Sequence, residues 1–216
     1  MCNPAIFIFC SEDGVISGWN QTVSGTAASI LYDHSSTGAV YKGCAVTGTA
    51  EAPYLFAANF NAGTVDVYDG CLNLNPTAYK GAFANPMIPA GFAPWGMAIA
   101  PANFGPFAGA LLVGNFSDGK INAFNVATRA LLGTLNDPTG NPIAIPGLWA
   151  LDFGGGAQDE DPGTLYITAG TGYNNTSSKL TGCSRASRRR PSSLPPAFKT
   201  AQASSANRSL PVRLCR

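Results

Sequence analysis

Apolar residues along this chain fall in short runs separated by glycine-bearing turns, not at the 3.6-residue spacing of a helix face. One pattern pairs an apolar strand, a turn with glycine, and a second strand ending in an aromatic. It reads Ile6-Phe7-Ile8-Phe9, then Glu12-Asp13-Gly14, then Val15-Ile16-Ser17-Gly18-Trp19. It returns as Leu55-Phe56-Ala57-Ala58-Asn59-Phe60, then Asn61-Ala62-Gly63, then Thr64-Val65-Asp66-Val67-Tyr68. A third copy runs from Leu111 to Phe116, turns at Ser117-Asp118-Gly119, and continues from Lys120 to Phe124. The turn glycines are 49 and then 56 residues apart. A second pattern precedes each full unit: Gly43-Cys44-Ala45-Val46, Gly96-Met97-Ala98-Ile99 and Leu148-Trp149-Ala150-Leu151. Further strands are expected at Ser29–Tyr32, Tyr79–Phe83 and Leu131–Leu135.

These signals have a local cause. Asp-Gly tolerates the positive φ of a tight hairpin turn. Near-alternating stretches such as Val15–Trp19 suit half-buried strands. About four strands repeating every ~50 residues predict an all-β fold, a β-propeller of four-stranded antiparallel blades. A β-sandwich also uses short strands and turns, but it does not predict the repeat. The strands amount to about three blades, fewer than the roughly four that closure needs. The expected propeller is therefore incomplete, over residues 1–178.

Composition adds a boundary. Residues 1–178 hold all twelve acidic residues and only Lys42, Lys80, Lys120 and Arg129 as bases. Residues 179–216 hold nine basic residues and no acid. This segment is expected to be a basic, Ser/Pro/Arg-rich disordered tail, and Arg188-Arg189-Arg190 in it is read as solvated chain with no nucleic-acid partner. The uncharged run from Gly81 to Ser117 contains five prolines, which excludes a continuous membrane-spanning helix. Met1-Cys2-Asn3-Pro4 lacks the basic start of a signal peptide. Six cysteines without a CxxC pair, and one histidine, give no zinc-type spacing.

The words Pro94-Trp95-Gly96-Met97-Ala98-Ile99, Gly109 to Phe116 and Asp118 to Phe124 resemble an NHL-type propeller repeat. Together with Glu12-Asp13-Gly14, Gly147-Leu148-Trp149-Ala150-Leu151 and Leu165 to Gly170, the stretch over residues 4–175 is similar to an uncharacterised bacterial family of exported NHL-like propeller proteins. The resemblance implies an exported protein and no particular activity. Members of that family look longer at the front, and Gly91-Phe92-Ala93-Pro94-Trp95-Gly96 fuses two words they keep apart. The resemblance thus implies a truncated, internally shortened copy, its pattern ending near Gly172.

Candidate chemistry is sparse. Asp13, Asp66 and Asp118 beside hairpins are carboxylates of the type that hold a cation, but they equally suit turns, and no metal is assigned. Asp159-Glu160-Asp161 lacks EF-hand spacing. His34 is the only candidate acid or base of its kind, and a surface-turn role is expected for it. Asn20, Asn115 and Asn174 open glycosylation-type triplets. Trp19, Trp95 and Trp149 recur at equivalent edges of the repeat, where aromatics form either packing or a carbohydrate or protein platform. The leading expectation is a non-enzymatic binding or scaffold module with no cofactor and an unidentified partner, or a truncated, non-functional copy of such a module. The alternative is a propeller hydrolase or lyase using channel carboxylates.

Overall fold

In the computed structural model the described residues are 3–48, 53–70, 79–83, 91–155, 161–170, 180–186 and 212–214. They are all-β, arranged as several small antiparallel sheets. The chain divides into two compact units, residues 1–95 with 207–216, and residues 96–206.

The first unit holds β1 (Asn3–Ala5), β2 (Phe7–Cys10), β3 (Val15–Trp19), β4 (Ser29–Asp33), β5 (Tyr41–Gly48), β6 (Pro53–Asn59), β7 (Thr64–Asp69) and β8 (Tyr79–Phe83). Strands β2-β3-β4 form one meander and β5-β6-β7-β8 a second. The second unit holds most of β9 (Pro94–Ile99), then β10 (Leu111–Asn115), β11 (Ile121–Phe124), β12 (Leu131–Thr134), β13 (Leu148–Phe153), β14 (Leu165–Gly170) and β15 (Leu180–Ala186). Its meanders are β9 to β12 and β13-β14-β15. Strand β16 (Val212–Leu214) returns to pair with β1. The expected fourth strands thus form as β8 and β12.

Strands β15 and β16 lie in the segment whose composition reads as tail. Their ladder partners, β14 and β1, supply pairing that a polar, basic local sequence does not advertise. Residues 187–210 lie outside the described residues.

The repeat is visible as register. Leu55 pairs with Tyr68 across β6-β7, and Leu111 with Phe124 across β10-β11. In β2-β3 the partner of Trp19 is Phe7. Phe7, and not Ile6, is therefore the counterpart of Leu55 and Leu111, because the first hairpin closes with a loop one residue shorter.

Both faces of the β5–β8 sheet are apolar and buried. Leu55, Ala57 and Tyr68 point one way; Phe56, Ala58, Val65 and Val67 point the other, and all are at most 4% exposed. The first of these faces shares a core with Ile16, Leu31 and Tyr32 of the β2–β4 sheet, joined by Ile8, Cys10, Cys44 and Val46. In the second unit, Ala98, Leu112, Ile121 and Ala123 share a core with Leu148, Leu151, Leu165 and Ile167 of the β13–β15 sheet. Each unit thus contains a sheet-on-sheet core.

Three turn glycines make the same approach. Gly14, Gly63 and Gly119 have φ of +82°, +64° and +71°. A Cβ on each would overlap the carbonyl oxygen of Ala39, Phe92 and Ile145 respectively, just ahead of β5, β9 and β13. The glycines serve the hairpin and the chain entering the next sheet at once. Gly109 has a similar φ of +72° but open space around it. Gly119→Ala is therefore expected to destabilise more than Gly109→Ala, by at least about 1 kcal/mol, because overlap adds to strain. Urea unfolding of the two variants checks this.

Candidate functional site

The densest polar chemistry lies between the β2–β4 and β5–β8 sheets. Their shared core carries Tyr32 at the end of β4, His34 in the following turn, Tyr41 opening β5, Asn59 ending β6, and Thr64, Asp66 and Tyr68 on β7. Alternation along β7 places Asp66 and Tyr68 on the face that meets the β2–β4 sheet.

Asp66, 4% exposed, is the only buried carboxylate among the described residues. Its Oδ2 accepts from Tyr41 Oη at 2.9 Å and Asn59 Nδ2 at 3.1 Å; its Oδ1 accepts from Thr64 Oγ1 at 3.0 Å. Tyr41 and Tyr68 hydroxyls are 2.7 Å apart. His34 Nδ1 lies 2.9 Å from Tyr41 Oη and 3.2 Å from Tyr68 Oη, and its Nε2 lies 2.9 Å from Tyr32 Oη. His34 Nδ1 is 3.9 Å from Asp66 Oδ2.

Hydrogen counting fixes the inner end of this chain. A carboxylate only accepts, so Tyr41 gives it its single proton. Tyr41 Oη then accepts from Tyr68 Oη or from His34 Nδ1. The two tautomers of the neutral imidazole differ at the outer end: with Nδ1–H, Tyr32 donates to Nε2; with Nε2–H, Tyr68 donates to Nδ1 and Nε2–H donates to Tyr32. In either tautomer the network joins Tyr32 through His34 and the tyrosine pair to Asp66. Ring contacts hold it from the sides: Tyr32 meets Tyr68 edge-on with centroids 4.9 Å apart, and meets His34 at 4.3 Å.

Burial governs the titrations. It pushes the Tyr41 and Tyr68 phenols far above their ordinary value, and raises Tyr32 as well. Burial lowers His34, outweighing the opposite pull of Asp66 and Asp33. These phenols stay protonated donors and the imidazole favours its neutral form. His34 is thus not a free surface-turn residue; its side chain is 19% exposed and bonded at both nitrogens.

The repeat keeps the polar position but not the network. Asp66, Tyr68 and Asn59 correspond to Asn122, Phe124 and Asn115 in the next repeat. There Asn122 Oδ1 accepts from Thr134 at 2.9 Å, and Asn122 Nδ2 finds no hydrogen-bond partner among the described residues.

The three tryptophans do not share a structural position. Trp19 ends β3, donates from Nε1 to Gly25 O at 3.0 Å, and packs on Phe7 at 5.9 Å. Trp95 lies in the opening strand β9, edge-on to Phe60 at 5.6 Å. Lys42 Nζ sits 4.5 Å over the Trp95 ring and 2.5 Å from Glu12 Oε1, so a cation already covers one face of that ring. Trp149, in the opening strand β13, lies against Gly170.

The other acids singled out in the sequence serve turns where they are described. Asp13 Oδ1 accepts from Ser11 Oγ, and Asp118 Oδ1 accepts from Asn115 Nδ2 at 2.8 Å and Lys120 N at 3.0 Å. Asp161 accepts from Gly163 N at 2.9 Å, while Asp159 and Glu160 lie outside the described residues. No three His, Cys, Asp or Glu side chains converge to hold a metal among the described residues. Asn20 and Asn115, which open two of the glycosylation-type triplets, are buried, at 6% and 0% exposure. Asn174 and Arg188 to Arg190 lie outside the described residues. No helix among the described residues is long and apolar enough to cross a membrane.

Tyr41→Phe is expected to cost about 1–3 kcal/mol, since it strips a donor from a buried carboxylate while keeping the ring. A pH dependence follows from His34. Its folded pKa is lowered, so the unfolded chain binds the proton more readily. The contribution is fully present above the ordinary value of 6.5 and is lost as pH falls through 6.5 toward the lowered folded value. Melting curves from pH 8 to pH 5 should show this decline, and His34→Gln should flatten it.

No protein-family description matches the chain. It is 25% identical over 210 aligned positions to an uncharacterized protein of Acanthamoeba polyphaga mimivirus, across 70% of this chain and 51% of that protein. The chain thus spans about half the length of this relative. Seventy per cent of 216 residues is about 151, so about 59 of the 210 aligned positions face no residue of this chain. Among solved structures, the extracellular domain of a hybrid two-component system from B. thetaiotaomicron superposes with a TM-score of 0.40 and 11% identity, covering 85% of this chain and 20% of that one. At that level of similarity nothing transfers from it.

Proposed function

We propose that the chain is an incomplete set of propeller-type blades that acts as a non-enzymatic binding or scaffold module. The observation that carries this reading is the state of Asp66. The only buried carboxylate among the described residues accepts from Tyr41, Asn59 and Thr64 and is packed between two sheets. A general acid, base or nucleophile needs a lone pair or proton facing a substrate. Asp66 directs both oxygens into the fold. The alternative, a hydrolase or lyase using channel carboxylates, finds less support, because Asp13, Asp118 and Asp161 are bonded within their own turns.

The blade reading draws support from the shared register of β6-β7 and β10-β11 and from the equivalent glycine approaches at Gly14, Gly63 and Gly119. The resemblance to exported NHL-like propeller proteins belongs with it. The aligned positions of the viral relative that face no residue here amount to about one repeat, which fits an internally shortened array. The ligand is a protein or carbohydrate met by partly exposed aromatic surface.

Reporter esters, lactones and glycosides, assayed with the intact chain and with Asp66→Asn, test the reading. The expected outcome is no turnover above background for either protein, with a lower melting temperature for the variant. Turnover by the intact chain that disappears in Asp66→Asn would establish the enzyme reading instead.

A further inference from the structure

The β2–β4 sheet has one covered face and one open face. Ile8, Cys10, Ile16 and Tyr32 point into the shared core with the β5–β8 sheet. Pairing and alternation put Phe7, Phe9, Val15, Ser17, Trp19 and Ile30 on the opposite face: Phe7 pairs with Trp19, Phe9 with Ser17, and Ser17 with Ile30. Phe7, Phe9 and Ile30 are 46%, 50% and 55% exposed. The charge nearest this surface along the ladder, Asp33, lies at its turn end, opposite Val15.

Repeat-equivalent positions elsewhere are closed. Phe7, Phe9 and Trp19 correspond to Leu55, Ala57 and Tyr68, which are 1%, 0% and 0% exposed. In the third repeat they correspond to Leu111, Val113 and Phe124, all 0% exposed. In the β5–β8 sheet this face is covered by the Ile16 row of the preceding sheet. The covering row has its own repeat: Ile16, Val65 and Ile121 are each 0% exposed.

We infer that the open face of the β2–β4 sheet docks one more sheet of the same repeat type, offered through its Ile16-like row. This rests on the stacked-blade reading above. Two observations select this occupant. The interface it would form continues the one already present between the β2–β4 and β5–β8 sheets. The match spans only 51% of the viral relative, so a related protein holds ample sequence for further repeats. Apolar surface of this kind fits a packed sheet better than a polar ligand.

The test adds the occupant to the intact chain. A second copy of residues 39–92, which carry the β5–β8 sheet, is joined ahead of residue 3, and hydroxyl-radical oxidation is read residue by residue. In the fusion, oxidation of Phe7, Phe9 and Trp19 should fall by about five-fold relative to the unfused chain, since a packed sheet excludes solvent. Phe9→Asp in the fusion should restore oxidation of Phe7. In the unfused chain, Phe9→Asp should leave the melting temperature unchanged. Unaltered oxidation in the fusion overturns the proposal. So does loss of folding in the unfused Phe9→Asp variant, which would mean the chain already covers this face. Protection of Phe9 that rises with concentration of the unfused chain also overturns it, in favour of a second copy as occupant. The blade reading has its own control: Leu55 and Tyr68 should resist oxidation in the unfused chain, and equal oxidation of Tyr68 and Phe9 would remove that reading first.

Discussion

A sheet that is apolar on both sides has to be covered on both sides, and this requirement organises the molecule. In the β5–β8 sheet, Leu55, Ala57 and Tyr68 face one way while Phe56, Val65 and Val67 face the other, all nearly sealed from solvent. Such a sheet has no polar face to offer to water. Fully burying one large apolar side chain contributes about 1.5–3 kcal/mol, so a row of them outweighs any single hydrogen bond in the site. The turn glycines make the arrangement possible, because Gly14, Gly63 and Gly119 let the chain entering the next sheet approach the hairpin more closely than a side chain would permit.

The polar cluster sits within this apolar interface and takes its meaning from it. A buried carboxylate is costly unless its oxygens are satisfied. Asp66 meets that condition through Tyr41, Asn59 and Thr64, and the tyrosines extend the network to His34. The same low-dielectric setting that favours neutral His34 also strengthens each hydrogen bond. The cluster thereby ties β4, β5, β6 and β7 together through named hydrogen bonds. Where the next repeat carries Asn122, its side-chain oxygen accepts from Thr134.

The repeat was legible because turn chemistry is local. Asp-Gly and Ala-Gly turns followed by apolar strands mark β3, β7 and β11, and the expected outer strands appear as β4, β8 and β12. Other features depend on pairing, which no short window records. The shorter first hairpin shifts Phe7 into the place that spacing gives to Ile6. Trp19 falls on β3, while Trp95 and Trp149 open β9 and β13, so their equivalence dissolves once strands are ranked. The His34 cluster draws on β4, β5, β6, β7 and a turn, and its members are too scattered in sequence to form a motif. Strand β16 pairs with β1 at the other end of the chain, while β15 pairs with the preceding strand β14.

The β2–β4 sheet packs against the β5–β8 sheet, and Tyr32 and Tyr68 meet across that boundary at 4.9 Å. A double-mutant cycle with Tyr32→Leu and Tyr68→Leu, followed by urea unfolding, measures that contact directly. Coupling of about 0.5–1.5 kcal/mol between the two rings is the result the account requires. Additive effects of the two substitutions would contradict it.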